Sequence, residues 1–346
     1  MRKLVLLLIL LSLLAVPVSA MDYTAPTAPE DALELMPSES VSFGQDLLYV
    51  IGQALRTLQP AVAEGAAVCC GIFGAALLLG IFKTVPGKGT SIADPVGVLC
   101  VSAMLFSVTG SMIRLASETV TELSEYGKVL LPVMTAALAS QGGITTSTAL
   151  YTATALIDTV LAGLVHKVLV PMVYVYLVLA VAAGATGEAM PAKLRDLLKS
   201  LVTWGLKVVL YIFTGYMGIT GVVSGTADAA ALKATKITMS GAVPVVGGIL
   251  SDASEAVLVG AGVMKNAVGI YGTVALIALW IAPFLRIGIQ YLLLKLTAAL
   301  CAVVDSKAIN DLVTSFSGAM GLLLAMTGSV CVLLLISMVC FMKGVS

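Results

Sequence analysis

The residues able to do chemistry in this chain are few and lie in apolar surroundings. From Ala234 to Gly272 the sequence reads ATKITMSGAVPVVGGILSDASEAVLVGAGVMKNAVGIYG, which is apolar enough to enter a bilayer yet contains Pro244, Gly247, Gly248, Asp252, Glu255 and Lys265. An ionised group at the bilayer centre costs roughly 2.5–3.5 kcal/mol on insertion scales, so this is not ordinary lipid-facing filling. Asp252 and Glu255 are three apart and share a helical face, while the proline and glycines permit a bent backbone. A segment of this kind can line or brace an aqueous path. Lys295, within YLLLKLTAAL, is a second charge in an apolar run. It reads either as a partner for Asp252 or Glu255, or as an interfacial lysine on a tilted helix.

A related irregularity occurs in VLLPVMTAALASQGGITTSTALYTATALIDTVLAGLVHK, residues 129–167. Its first apolar part, 129–140, is shorter than the ~20 residues needed to cross a bilayer. Pro132 and the Gln141-Gly142-Gly143 break suggest a re-entrant or broken hairpin, with two short tilted spans as the alternative. The segments around Pro132 and Pro244 both begin Pro-Val and run into small and polar residues. Paired interruptions of this sort point to a central site in transporter-like duplicated chains.

Other chemistry finds little support. His166 is the sole histidine and stands beside Lys167 at a predicted membrane boundary, and the six cysteines lie in apolar runs without C-x-x-C spacing. Neither pattern is that of a metal site or disulfide framework. Gly87-Lys88-Gly89-Thr90 lacks the order of a phosphate loop, and no hydrolase or nucleotide fingerprint is present. Asp158 is an intramembrane acid without the context of a membrane aspartyl protease. Glu118, Glu122 and Glu125 read as a solvated helix face, or as an ion-binding ring if several copies meet. No enzyme activity and no cofactor are expected.

The elements that must position these residues are membrane helices. The chain has 346 residues, of which 59% are hydrophobic and 11% charged, with a mean hydropathy of +1.07. Zero formal net charge gives no electrostatic footprint for nucleic acid. The predicted class is all-α, a polytopic integral membrane protein with about seven full transmembrane helices plus two irregular or re-entrant segments. Residues 1–20, with Arg2, Lys3, an apolar run and the ending Val18-Ser19-Ala20, have the layout of a cleavable signal peptide. Residues 21–60 form an extracytoplasmic lead-in. In its amphipathic helix Phe43, Leu47, Ile51, Leu55 and Leu58 share a face, resting on the membrane, a partner or the protein's own spans. The multi-span domain occupies 61–346.

Its spans are predicted at 62–82, 95–113, 168–186, 201–224, 266–285, 286–304 and 319–342. The polar connection SETVTELSEYGK lies outside, and a tight cytoplasmic turn is expected at Pro283–Arg286. Lys83, Lys88, Lys193, Arg195 and Lys199 mark the cytoplasmic face by the positive-inside bias. This odd count puts the N-terminus outside and the C-terminus, at Lys343, inside.

Taken together, the Glu-rich connection, LLPVMTAALASQGGITTSTAL and above all the Pro-Val-Val-Gly-Gly block with its Ser-Asp and Lys-Asn resemble the stage III sporulation protein AE family of endospore-forming bacteria. The resemblance runs from about Glu118 to the C-terminus. It implies a membrane core subunit of the channel or secretion-like complex between mother cell and forespore, located in the mother-cell membrane around the forespore. The implied partners are other stage III A proteins, including an ATPase, and indirectly stage II sporulation protein Q, together with membrane lipid. It carries no catalytic residues. An independent solute transporter and a purely structural scaffold are the alternative readings.

Overall fold

In hydrocarbon a backbone can satisfy its own polar groups only by coiling on itself or closing a barrel, and these Ala-, Leu- and Gly-rich runs coil. A computed structural model describes residues 25–37, 42–84, 90–242, 247–304 and 307–343, and of residues 84, 90–92, 220–242 and 247–265 the backbone alone. The elements are α1 (Glu30–Leu33), α2 (Phe43–Arg56), α3 (Gln59–Thr84), α4 (Thr90–Ser140), α5 (Ile144–Leu164), a π-helical turn (Val165–Leu169), α6 (Val170–Thr186), α7 (Ala189–Ala242), α8 (Gly247–Val303) and α9 (Lys307–Lys343). No strand occurs among the described residues. Six stretches among them are long and apolar enough to cross a membrane: Gln59–Lys83, Ala93–Ser140, Ile144–Thr186, Ala189–Ile219, Asn266–Val303 and Lys307–Lys343. The expected signal peptide lies outside the described residues.

The all-α membrane class stands, but several expected breaks are helical. Helix α4 runs for 51 residues through Pro95, the Glu-rich connection and Pro132, so 129–140 is the end of a long helix rather than a re-entrant limb. Helix α8 likewise continues through Pro283. A proline removes one N–H and frees the carbonyl four residues back, yet neighbouring helices hold the remaining turns together. Trp280 and Phe284 stack across this proline with ring centroids 4.2 Å apart. The two spans 266–285 and 286–304 are therefore one helix, and no turn occurs at Arg286.

That continuity changes where the chain ends lie. The Ala28 N–H faces the Tyr271 hydroxyl at 3.4 Å, and Met342 packs on Gly269. Both described ends thus meet the same stretch of α8, at the same end of the bundle. The opposite end carries the Lys83–Asp94 ion pair, Gly80 against Val304, and Gly184 between Val98 and Ala308.

The break at Gln141–Gly143 is present as a tight turn joining α4 to α5. Gly142 has φ 90°, a region that residues with a Cβ enter only at a cost, and the Gly142 N–H bonds the Ala139 carbonyl. We expect Gly142→Val to lower stability by about 1–2 kcal/mol, read as a shift in the denaturation midpoint of the purified protein.

Helix α9 is the central post of the bundle. Phe316, Met320, Leu323, Met326, Val330, Leu334 and Phe341 are fully buried along its length, enclosed by α4, α5, α6 and α8. Helix α2 starts at Ser42, whose Oγ accepts from the Gln45 N–H at 3.4 Å. It buries Asp46, Val50 and Ala54 and packs on α8. The buried strip is thus rotated from the predicted apolar face, leaving Phe43, Leu48 and Leu55 exposed.

Candidate functional site

Many of the described charges gather at the middle of the bundle and at its Lys83 end. On α4, Arg114, Glu118, Glu122, Glu125 and Lys128 follow one another at helical spacing. Arg114 Nε lies 3.2 Å from Glu118 Oε1 on the exposed surface, a pair that contributes about 0–1 kcal/mol. Arg286 of α8 stands between two cavities of this belt. One, of about 310 Å³, is lined by Asp31, Glu34, Thr57, Glu122 and Pro283. The other, of about 580 Å³, is lined by Ser111, Arg114 and Glu118. Leu279, whose carbonyl loses its usual helical donor to Pro283, lines the first of these.

The belt continues inward as a polar seam between α4 and α5. His166, in the π-helical turn, faces Ser117 Oγ at 2.9 Å through Nδ1 and Thr121 Oγ1 at 3.2 Å through Nε2. The widened turn brings its ring against α4, so this residue joins two helices. One helical step further, Ser124 Oγ donates to Asp158 Oδ2 at 2.6 Å, with both residues buried. Asp158 Oδ1 has no hydrogen-bond partner among the described residues. Beyond it, Thr154 Oγ1 donates to Ser337 Oγ at 2.9 Å.

At the Lys83 end a third cavity, of about 440 Å³, is lined by Asp94, Glu188, Arg195, Lys307 and Asp311. Arg195 Nη1 donates to Ser315 Oγ at 2.9 Å, and the Tyr176 hydroxyl donates to the Ser315 carbonyl at 3.0 Å. Between this cavity and the belt, large side chains of the described residues pack together. Phe106 and Phe316 meet edge to face at 5.3 Å, among the buried side chains of Leu105, Leu312 and Val313.

The residues singled out from sequence are not brought to one place. Pro132 lies on an exposed turn of α4, and Gly142 and Gly143 form the α4–α5 turn. Lys295 is exposed nearer the Lys83 end, its Nζ 5.3 Å from the centre of the Tyr291 ring. Gly247 and Gly248 open α8, and Asp252, Glu255 and Lys265 follow in the same helix, where only the backbone is described. Pro244 lies outside the described residues. The belt itself escaped sequence reasoning except for its Glu118, Glu122 and Glu125 repeat, because Asp31, Thr57 and Arg286 join it from remote parts of the chain. Among the described residues no three of His, Cys, Asp and Glu come close enough to hold a metal ion.

Comparison with known proteins gives a consistent result. The family model described as stage III sporulation protein AE matches residues 66–344. A similar curated protein, stage III sporulation protein AE of Bacillus subtilis (strain 168), is 25% identical over 188 residues, which is 54% of this chain and 47% of the relative. The match thus spans about half the relative's length. No solved structure matches the chain.

Proposed function

From the premise that the chain belongs to the stage III sporulation protein AE family, we propose that it serves endospore formation as a membrane core subunit of the mother cell–forespore channel or secretion-like complex. In this reading it resides in the mother-cell membrane around the forespore, with its N-terminal segment extracytoplasmic. It works beside other stage III A proteins, an ATPase among them, and meets stage II sporulation protein Q indirectly. No catalytic role is assigned to it.

The observation that supports a subunit over a self-contained pore is the packing of Phe106 on buried Phe316 between the belt and the Lys83-end cavity, among the described residues. A passage would then run between this chain and its neighbours, and the belt would face or brace it. The uninterrupted helix around Pro132 removes half of the argument for an inverted-repeat transporter.

Deletion of the gene is expected to arrest sporulation after engulfment, and full sporulation of the deletion strain would refute the assignment. Asp252→Leu combined with Glu255→Leu is expected to reduce spore yield at least ~10-fold while the protein remains in the membrane, since hydrated charges on a path cannot be replaced by apolar groups. Co-purification of the assembled complex from sporulating cells, with and without this double change, checks whether assembly or passage is affected.

A further inference from the structure

We infer that the bilayer occupies only the half of this bundle nearest Lys83, and that the charged belt marks its outer surface while the other half projects into the extracytoplasmic space. Length is the first argument. The 37 residues of α9 and the 51 of α4 span about 55 and 76 Å at ~1.5 Å per residue, against a hydrocarbon core of about 30 Å.

Charge supplies the levels. Uncharged stretches lie between Glu64 and Lys83 on α3, between Asp94 and Arg114 on α4, and between Lys167 and Glu188 through α6. Each is close to the ~20 residues one crossing requires. Their inner limits coincide in space, since Lys83 pairs with Asp94 and Gly184 lies against Val98 and Ala308. The outer limits on α4 and at the π-helical turn coincide as well: Arg114 and Arg286 line one cavity, and His166 meets Ser117. On α3, Gly65, beside Glu64, lies against Gln290 and Leu293, about one to two turns from Arg286 along α8.

The N-terminal segment excludes hydrocarbon from the other half. Residues 25–29 are not helical, yet Ala28 lies at Tyr271, and Asp31 and Glu34 share a cavity with Ala278 through Arg286. Irregular backbone and carboxylates are not left facing lipid at membrane depth. At Thr57, level with Glu122 and Arg286, the chain turns from α2 into the apolar α3. Helix α2 then rests on the membrane surface with its exposed Phe43, Leu48 and Leu55 toward lipid.

The apolar sequence of the projecting half is explained by protein rather than lipid. Leu276, Val330, Leu334 and Phe341 are buried. The outer face of α5 there exposes Thr145, Thr148, Thr152 and Thr159, interleaved with Ile144, Tyr151, Leu156 and Val160. On the embedded half the exposed surface includes Leu78, Leu99, Val175 and Val178, while Lys207 and Lys295, exposed on the same half, must extend their long side chains toward an interface. The side follows from the basic residues: Lys83 pairs with Asp94, which lines one cavity with Arg195 and Lys307 at the far end, and the positive-inside bias makes that end cytoplasmic.

The test uses the full chain in native vesicles, with each site read by mass spectrometry of its own peptide so that the native cysteines do not interfere. A membrane-impermeant maleimide added to right-side-out vesicles is expected to modify Thr148→Cys and Thr152→Cys at about the rate seen in detergent, and Leu78→Cys and Val175→Cys at least ~10-fold more slowly. Protection of all four sites from both faces, or labelling of the threonine positions from the cytoplasmic face, overturns the inference. Imaging of the unmodified chain in a lipid nanodisc gives a second reading. The disc should be centred near the Phe106–Phe316 contact, and a disc centred on Glu122 would contradict the placement. Neither outcome depends on the sporulation phenotype, so this inference and the proposed channel role can fail separately.

Discussion

Ser124→Ala is expected to destabilise the protein by about 2–3 kcal/mol, more than Asp158→Leu does. The reason is an asymmetry in what each change leaves behind. Ser124 Oγ donates to Asp158 Oδ2 at 2.6 Å in a buried setting, and Oδ1 has no other partner among the described residues. Removing the hydroxyl strands a buried carboxyl group, whereas removing the carboxyl group leaves a serine that can turn to a backbone carbonyl of its own helix. Combining Ser124→Ala with Asp158→Leu should therefore recover most of the loss. Chemical denaturation of the three variants in detergent measures this, and a double variant no more stable than Ser124→Ala alone would contradict it. Spore yield of the recovered double variant adds a functional reading. Normal yield marks the pair as structural, and loss of yield with the fold intact makes Asp158 part of the working machinery.

Phe316→Ala is expected to cost about 3–5 kcal/mol, in the range of large-to-small changes at sites that cannot collapse. Phe316 is fully buried on the central helix and meets Phe106 edge to face, at an interplanar angle of 83°. Its neighbours come from different helices, each held along its length, so the space left by the ring is not refilled. Phe106→Ala should be less severe, because Phe106 is only partly buried. A double-mutant cycle should return a coupling of about 0.5–1.5 kcal/mol for the ring pair. A Phe316→Ala protein as stable as the parent would mean that the central post is not held as the structure places it.

Much of the architecture was legible because it depends on local composition. Apolar runs such as 168–186 need no partner to be recognised as helices long enough to cross a bilayer. The Gln141-Gly142-Gly143 turn was equally visible, since a positive φ at Gly142 is what a glycine pair permits. The misread positions share a different feature. Pro283 looked like a break and the Glu118–Glu125 stretch looked like a helical connection separate from the spans around it, because local signals describe what the backbone prefers in isolation. Packing against α9 and α4 keeps α8 helical through Pro283. The α4 helix holds its glutamates in line because buried Val120, Leu123 and Leu130 fix its inner face.

The candidate site divides in the same way. Glu118, Glu122 and Glu125 announced a charged helical face by their spacing, and membership of the sporulation family was already marked by the block around Pro244 to Lys265. No local pattern links Glu122 to Arg286, or Ser124 to Asp158. By itself, then, the sequence determined an all-helical membrane chain, its Lys-rich end and its family, because hydrophobicity, charge bias and motif are properties of short stretches. Tertiary structure alone decided that Pro283 interrupts nothing, that both described chain ends lie at one end of the bundle, and that remote charges meet in a belt midway along it. Those outcomes depend on which helices enclose one another, and burial against distant residues is a sum no short stretch contains.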